Sequence, residues 1–386
     1  MKNHFFVNVL INLPLDKYYT YKVNNKHKRK IQIGSIVSIP FGNNNEIIKG
    51  VVISIIKDFK SNYIIKKILD NKNKNIIFTK KQIKFFKWAE EYYLLNLSKI
   101  FHTIIPNNIL EIINNSNIKN QKDNKEINNN LKELNKFDTY LIKDLSINYT
   151  DLIYRYIKND KESKNQFLIL TPNIYYSFEV YKKLKLIYEN QCCVYNSKIS
   201  LKEKQKNWIN IINNKIRIII GVKSAIFLPF NNLKLSIVLN EHENLYKENE
   251  KKLRYNARDC SVMLTTIYNS KTILVSETPS IESYYNVQKR KYGYLNNTKN
   301  NNKINLNKVL TINTVEKKIK NKIYGLISND LIKKIKKNIN KKSKCIIYTP
   351  SSKNIYLINN QLMKYDKSYK ILLFNKNNLK SKKSIF

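Results

Sequence analysis

Residues 221–259, GVKSAIFLPFNNLKLSIVLNEHENLYKENEKKLRYNARD, decide how this chain is read. An apolar strand from Leu235 to Leu239 runs into a polar cluster, Asn240-Glu241-His242. A loop follows with Tyr246, Lys247, Arg254 and Tyr255, and a second apolar strand, Thr272 to Val275, closes on Ser276-Glu277-Thr278-Pro279. Working outward, Phe167 to Thr171, Cys192 to Tyr195 and Ile216 to Ile220 are further short apolar runs, separated by segments of helical spacing. One of those segments opens with a capping box, Ser200-Leu-Lys-Glu203. Buried strands alternating with helices predict a parallel α/β sheet.

The polar cluster has the layout of a D-E-x-H motor, with its critical slots altered. Phosphoryl transfer at such a strand end needs an aspartate for the magnesium shell and a glutamate to orient the attacking water. Counted back from Glu241-His242, those slots hold Leu239 and Asn240. Leucine cannot coordinate a cation, and asparagine cannot accept a proton. Glu241 and His242 read equally well as polar residues that cap a strand.

Four segments carry a specific resemblance: Gly221-Val-Lys-Ser-Ala-Ile-Phe with Pro229-Phe, the run Glu241-His-Glu-Asn-Leu-Tyr-Lys247, Arg254-Tyr-Asn-Ala-Arg-Asp259, and Thr278-Pro-Ser-Ile-Glu-Ser-Tyr-Tyr-Asn286. Together they resemble the PriA family of primosomal replication-restart helicases, which are superfamily-two DNA motors. The resemblance implies a glycine-rich phosphate loop near residues 141–154, ending in Gly-Lys-Thr. No glycine occurs between Gly50 and Gly221, and Thr150 falls where the lysine belongs. Ile147, Asn148 and Tyr149 would resist the positive φ of a phosphate nest at roughly 1 kcal/mol or more each. Both halves of the nucleotide site are therefore expected to be missing.

At the N-terminus, β-rich runs at Phe5 to Ile11, Tyr18 to Val23, Ser35 to Phe41 and Ile47 to Ile56 are punctuated by Pro14, Gly34, Pro40 and Gly42. They predict a small all-β, barrel-like unit. A helix capped by Thr79-Lys-Lys-Gln82 follows. Leu13-Pro-Leu15, Tyr19-Thr-Tyr21, Gly34 to Gly42, Gly50-Val-Val52 and Leu69-Asp70 resemble the PriA domain that captures the 3′ end of the nascent strand. The resemblance implies a pocket from Tyr19, Thr20 and Gly34, in which an aromatic face stacks on the terminal base. The family prefers Phe-Asp where this chain has Tyr19-Thr20, and Tyr63 stands near the place of its pocket lysine.

Composition bounds the partners. Among 386 residues, 71 Lys+Arg oppose 28 Asp+Glu, a net charge of +43 that favours polyanions through counterion release. Lysine is scattered with Asn, Ile and Tyr while Gly totals 6 and Pro 7, so part of the excess fits a gene rich in A and T codons. Asn- and Lys-rich tracts at 107–130 and 296–303 read as solvated linkers. Cys192, Cys193, Cys260 and Cys345 form no C-x-x-C pair, whereas the family holds two zinc ions with such pairs. The apolar run in MKNHFFVNVLINLPL is too short to span a membrane.

The fold expected is thus α/β: an all-β DNA-binding domain (1–106), a linker in place of a winged helix (107–136), a degenerate RecA-like helicase lobe (137–295), a linker (296–308) and a truncated second lobe (309–386). By resemblance, the DNA-binding residues are Tyr19, Thr20, Gly34, Tyr246, Lys247, Arg254 and Tyr255, and the vestigial motor positions are Thr150, Leu239, Asn240, Glu241 and His242. Tyr255 and Arg258 also read as residues that pack against and cap the next helix. Of the family's ATP, magnesium and zinc, none is expected here. The expected role is cytoplasmic binding of forked or single-stranded DNA in replication restart, alongside primosome and single-strand-binding proteins, with no membrane and no ATP-driven unwinding. A working 3′→5′ helicase and a decaying remnant are the alternatives.

Overall fold

Strands of the first four β-rich runs pair into one antiparallel sheet. In the computed structural model these are β1 (Phe5–Ile11), β2 (Tyr19–Val23), β3 (Ile36–Phe41) and β4 (Glu46–Ile56), in the order β2-β1-β4-β3. The structure describes residues 5–13, 15, 17–24, 31–57, 59–69, 75–115, 134–143, 149–158, 160, 164–249, 253–296 and 326–373. Single bridges, Lys22 to Lys67 and Ser35 to Ile76, extend the sheet beyond its four strands. Two-residue alternation gives the sheet two buried faces. Val7, Val9, Ile11, Tyr21 and Val23 pack on one side, while Leu10, Ile36, Val51 and Ile53 pack on the other against helices.

Those helices are α1 (Lys80–Tyr92), α2 (Leu97–Ile104) and α3 (Ile109–Asn115). Thr79 caps α1 as its sequence predicts, accepting from the Gln82 N–H, and Asn96 caps α2 through the N–H groups of Ser98 and Lys99. Helix α3 corrects the linker expected over 107–136. Ile109, Leu110 and Ile113 are buried in it, because three apolar side chains at i, i+1 and i+4 outweigh the flanking asparagines. Leu134 is buried as well, and residues 116–133 lie outside the described residues.

The second sheet has seven parallel strands among the described residues. It runs β13 (Gly293–Asn296), β5 (Thr139–Lys143), β12 (Lys271–Ser276), β9 (Leu233–Leu239), β6 (Gln166–Leu170), β8 (Ile218–Gly221), β7 (Cys192–Tyr195). Strand β13 ends at Asn296, the first residue of the tract that composition marked as a linker. Helices α4 (Tyr149–Ile157), α5 (Ile174–Tyr188), α6 (Leu201–Ile212), α7 (Ala257–Tyr268) and α8 (Ile281–Gln288) connect the strands, and Ser200 caps α6 by accepting from the Glu203 N–H. The pair β10 (Lys247–Glu248) and β11 (Tyr255–Asn256) is a small antiparallel hairpin beside the sheet.

The two sheets share one core. Phe78 meets Trp208 edge-on at 5.9 Å, and Phe85 and Phe86 both lie against Phe227. Each such ring removed from water contributes about 1.5–3 kcal/mol. The Tyr268 hydroxyl at the end of α7 lies 2.7 Å from the Phe230 carbonyl, 2.9 Å from Gln82 Oε1 and 3.0 Å from Thr79 Oγ1 at the cap of α1. The contacts bring both sheets into one compact unit, Met1–Asn301.

The second unit, Asn302–Phe386, contains helices Asn329–Asn340 and Ser352–Tyr365 around Ile327, Ile332, Ile335, Leu362 and Tyr369. The apolar runs at 345–349 and 371–373 form no strand among the described residues: Ile346 is 97% exposed and Tyr348 88%. A strand is stable only with a ladder partner, and none of the described residues supplies one. Phe374 lies outside them.

Candidate functional site

Ligands of parallel sheets bind at the carboxyl ends of the strands. In this chain, side chains of its own take up much of the end of β9. Leu239 ends β9 fully buried, and Asn240 turns the chain with φ +51, a conformation that asparagine tolerates. The Tyr149 hydroxyl, from the first turn of α4, donates to Asn240 Oδ1 at 2.6 Å. Thr150 follows it, half-buried in the same turn. The residues where a phosphate loop would bend, 144–148, include Ile147 and Asn148 and lie outside the described residues.

Glu241 is a buried hub. Its carboxylate accepts from Arg258 Nη1 (3.2 Å), the Ser280 N–H (2.7 Å), Ser280 Oγ (2.9 Å) and Ser283 Oγ (2.9 Å). Arg258 is held in turn by Asp259 at 2.9 Å and donates to Ser280 Oγ at 2.7 Å. Burial works against its charge, but the carboxylates of Asp259 and Glu241 more than offset that and raise its pKa. His242 Nδ1 meets Ser276 Oγ at 2.7 Å. A cavity of about 210 Å³ opens here, lined by His242, Lys247, Asn256, Arg258, Ser280 and Ile281 among others. Among the described residues no cluster of His, Cys, Asp and Glu is placed to hold a metal ion.

The aromatic loop departs from expectation. Tyr246 is 1% exposed, its hydroxyl lying 3.0 Å from the Leu170 carbonyl and 2.5 Å from that of Leu239. Tyr255 packs edge-on against Phe227 at 5.0 Å. Burial drives both hydroxyl pKa values upward. Neither ring offers a face to a base, because each completes the shared core. Lys247 and Arg254 are exposed on the same hairpin. Tyr255 packs, as the alternative reading has it, but the cap of α7 is Asn256, which accepts from the Arg258 N–H, while the Arg258 side chain turns to Glu241 and Asp259. The partnership of Arg258 with Glu241, 17 positions upstream, left no local signal in the sequence.

The N-terminal trio does not converge on one pocket. Tyr19 pairs with Val9 and packs with Phe41, ring centroids 5.2 Å apart, on one face of the sheet. Thr20 pairs with Asn8 and donates to Asn8 Oδ1 at 2.8 Å on the other face. Adjacent strand residues point apart, so the pair cannot line a single cleft. Gly34, at φ +87, lies against its own chain: an added Cβ would overlap the Phe78 carbonyl. Its small size serves the junction between the sheet and α1.

Comparison with known proteins places these features. Residues 8–106 match the PriA 3′DNA-binding domain (3′BD). The replication restart protein PriA of Rickettsia prowazekii is 27% identical over 350 residues, covering 87% of this chain and 52% of that protein. Its counterpart from Chlamydia trachomatis serovar D is 34% identical over 143 residues, 37% of this chain and 19% of that protein. Among solved structures, RecG bound to a three-way DNA junction aligns with a TM-score of 0.39 and 15% identity, over 59% of this chain and 28% of RecG. The chain spans about half the length of the curated PriA relatives that it matches along most of its own length. With a 3′DNA-binding domain match at one end and shared sequence along most of the rest, this chain is similar to the replication restart protein PriA over most of its length.

Proposed function

We propose that this chain is a PriA-like protein of replication restart that binds forked or single-stranded DNA without ATP-driven unwinding. The observation that carries the reading is the end of β9. Leu239 is apolar and buried, and the Asn240 amide is taken by Tyr149. The Glu241 carboxylate is saturated by Arg258, Ser280 and Ser283. Leucine and asparagine at these positions, with the carboxylate already bonded, do not fit magnesium–ATP.

DNA is the partner supported by the domain match over residues 8–106 and by the charge of +43. Lysines that displace condensed counterions give tight binding with modest selectivity and a steep loss of affinity as salt rises. Primosome and single-strand-binding proteins are further proposed partners, and they rest on the resemblance to the PriA family alone.

Two measurements test the reading together: ATP hydrolysis with and without single-stranded DNA, and fork binding by fluorescence anisotropy across a salt series. The expected result is no turnover with salt-sensitive binding. DNA-stimulated turnover above a few per minute overturns the inactive-motor reading, and binding weaker than millimolar at physiological salt overturns the DNA reading.

A further inference from the structure

Helix α8 carries its apolar face on the outside. Ile281, Tyr284, Tyr285 and Gln288 recur at i, i+3, i+4 and i+7, the spacing that a surface helix ordinarily turns toward the core. In this chain Ile281 is 86% exposed, Tyr284 48% and Tyr285 53%. Ser283 is the buried residue of the helix. The anchor is polar: Ser280 caps the helix through the Ser283 N–H, and both serine hydroxyls reach the Glu241 carboxylate. The apolar stripe is therefore not what holds α8 in place.

Cations follow directly. Lys289, Arg290 and Lys291 are all exposed, and Lys289 Nζ stands 5.5 Å from the centroid of the Tyr285 ring. Arg290, at φ +55, turns the chain toward the edge strand β13, where Tyr294 is 41% exposed. Glu282 is the single acid between 281 and 296, and it faces Arg258 at 3.8 Å. At the head of the stripe, Ile281 lines the same cavity as the exposed Lys247.

We propose that this stripe is a stacking platform for single-stranded DNA, with Tyr284 and Tyr285 receiving bases and Lys289, Arg290 and Lys291 contacting phosphates. The proposal rests on the DNA-binding reading above and deepens it. Exposed aromatic faces interleaved with cations are the means by which proteins hold single strands without reading sequence. A closed duplex offers such a surface its phosphates but no free base face, so the platform discriminates by strandedness.

The test uses the full chain and a labelled oligothymidine, beside a blunt duplex of equal length. Tyr284→Ala/Tyr285→Ala should weaken oligothymidine binding about tenfold or more while shifting duplex binding less than about threefold. Tyr284→Phe/Tyr285→Phe keeps the rings and should keep the affinity. Photocrosslinking of iododeoxyuridine-substituted strands to the unaltered chain provides a readout that no folding defect can disturb, and the adduct should map to 281–291. Loss of duplex and single-strand binding to the same extent, or adducts only outside that segment, would overturn the platform. Failure of the unaltered chain to bind any DNA would instead remove the DNA reading as a whole.

Discussion

The carboxyl edge of the parallel sheet and the rim of the antiparallel sheet carry similar residues, used in different ways. At the parallel sheet, Tyr149 bonds the Asn240 side chain, Tyr246 the backbone, and Glu241 pairs with Arg258, so these groups already have partners within the chain. At the antiparallel sheet, Tyr19 is only half-buried beside Phe41, and Tyr18 (48%), Ile47 (64%) and Tyr63 (67%) are exposed. A polar or aromatic residue at a strand end marks a binding site only when its own chain leaves it a free face or bond.

The largest effect separating the regions should come from Glu241→Ala. It leaves Arg258 buried with one carboxylate partner fewer, which costs about 3–5 kcal/mol of folding stability. Urea unfolding measures it, and a loss below about 1 kcal/mol would mean that the hub is not structural. Gly34→Ala comes next, at about 2–4 kcal/mol, since the added Cβ meets the Phe78 carbonyl at a positive φ. That loss should appear in thermal unfolding before any change in DNA affinity.

Tyr19→Ala should act in the other sense, on binding more than on folding. A fork with a free 3′ end should bind roughly 1–3 kcal/mol more weakly, with continuous single strands little affected. Tyr255→Ala provides the contrast: its ring fills the core, so the variant should lose stability and show no preference among DNA shapes. Equal losses on every DNA from both variants would erase the distinction between the two regions.

The smallest effect is alkaline. Burial pushes the Tyr195 hydroxyl from its ordinary 10.0 up to about 12, with the Trp208 N–H partly opposing it. Between those values the folded state keeps a proton that the unfolded chain has released, so stability falls as pH rises through 10 and the loss levels off near 12. About one unit above the ordinary value the loss is on the order of 1 kcal/mol. Other buried tyrosines act in the same sense, so Tyr195→Phe should make that part of the pH profile in urea unfolding shallower by about 1 kcal/mol near pH 11 rather than abolish it.

Much of the fold was legible because short-range rules dominate where burial is periodic. The apolar runs at 235–239 and 272–275 became neighbouring strands β9 and β12, and Thr79 and Ser200 cap the helices that their boxes announce. Composition misled where it was averaged over a tract: three apolar residues suffice for α3 inside an asparagine-rich stretch.

The site was less legible. Side-chain chemistry at 239–240 is a property of the sequence alone, because no packing turns leucine and asparagine into a metal and water-orienting pair. Among the described residues no helix is long and apolar enough to cross a membrane, in keeping with the scattered charge. The tertiary structure decided which faces remain open. It buried Tyr246 and Tyr255, set Tyr19 and Thr20 on opposite faces, filled the space beside Gly34 with a carbonyl, and turned the stripe of α8 outward. Those outcomes depend on partners far apart in the chain, such as Arg258 with Glu241 and Tyr268 with Gln82, and a local spacing rule cannot see a hydrogen bond that only folding brings within reach.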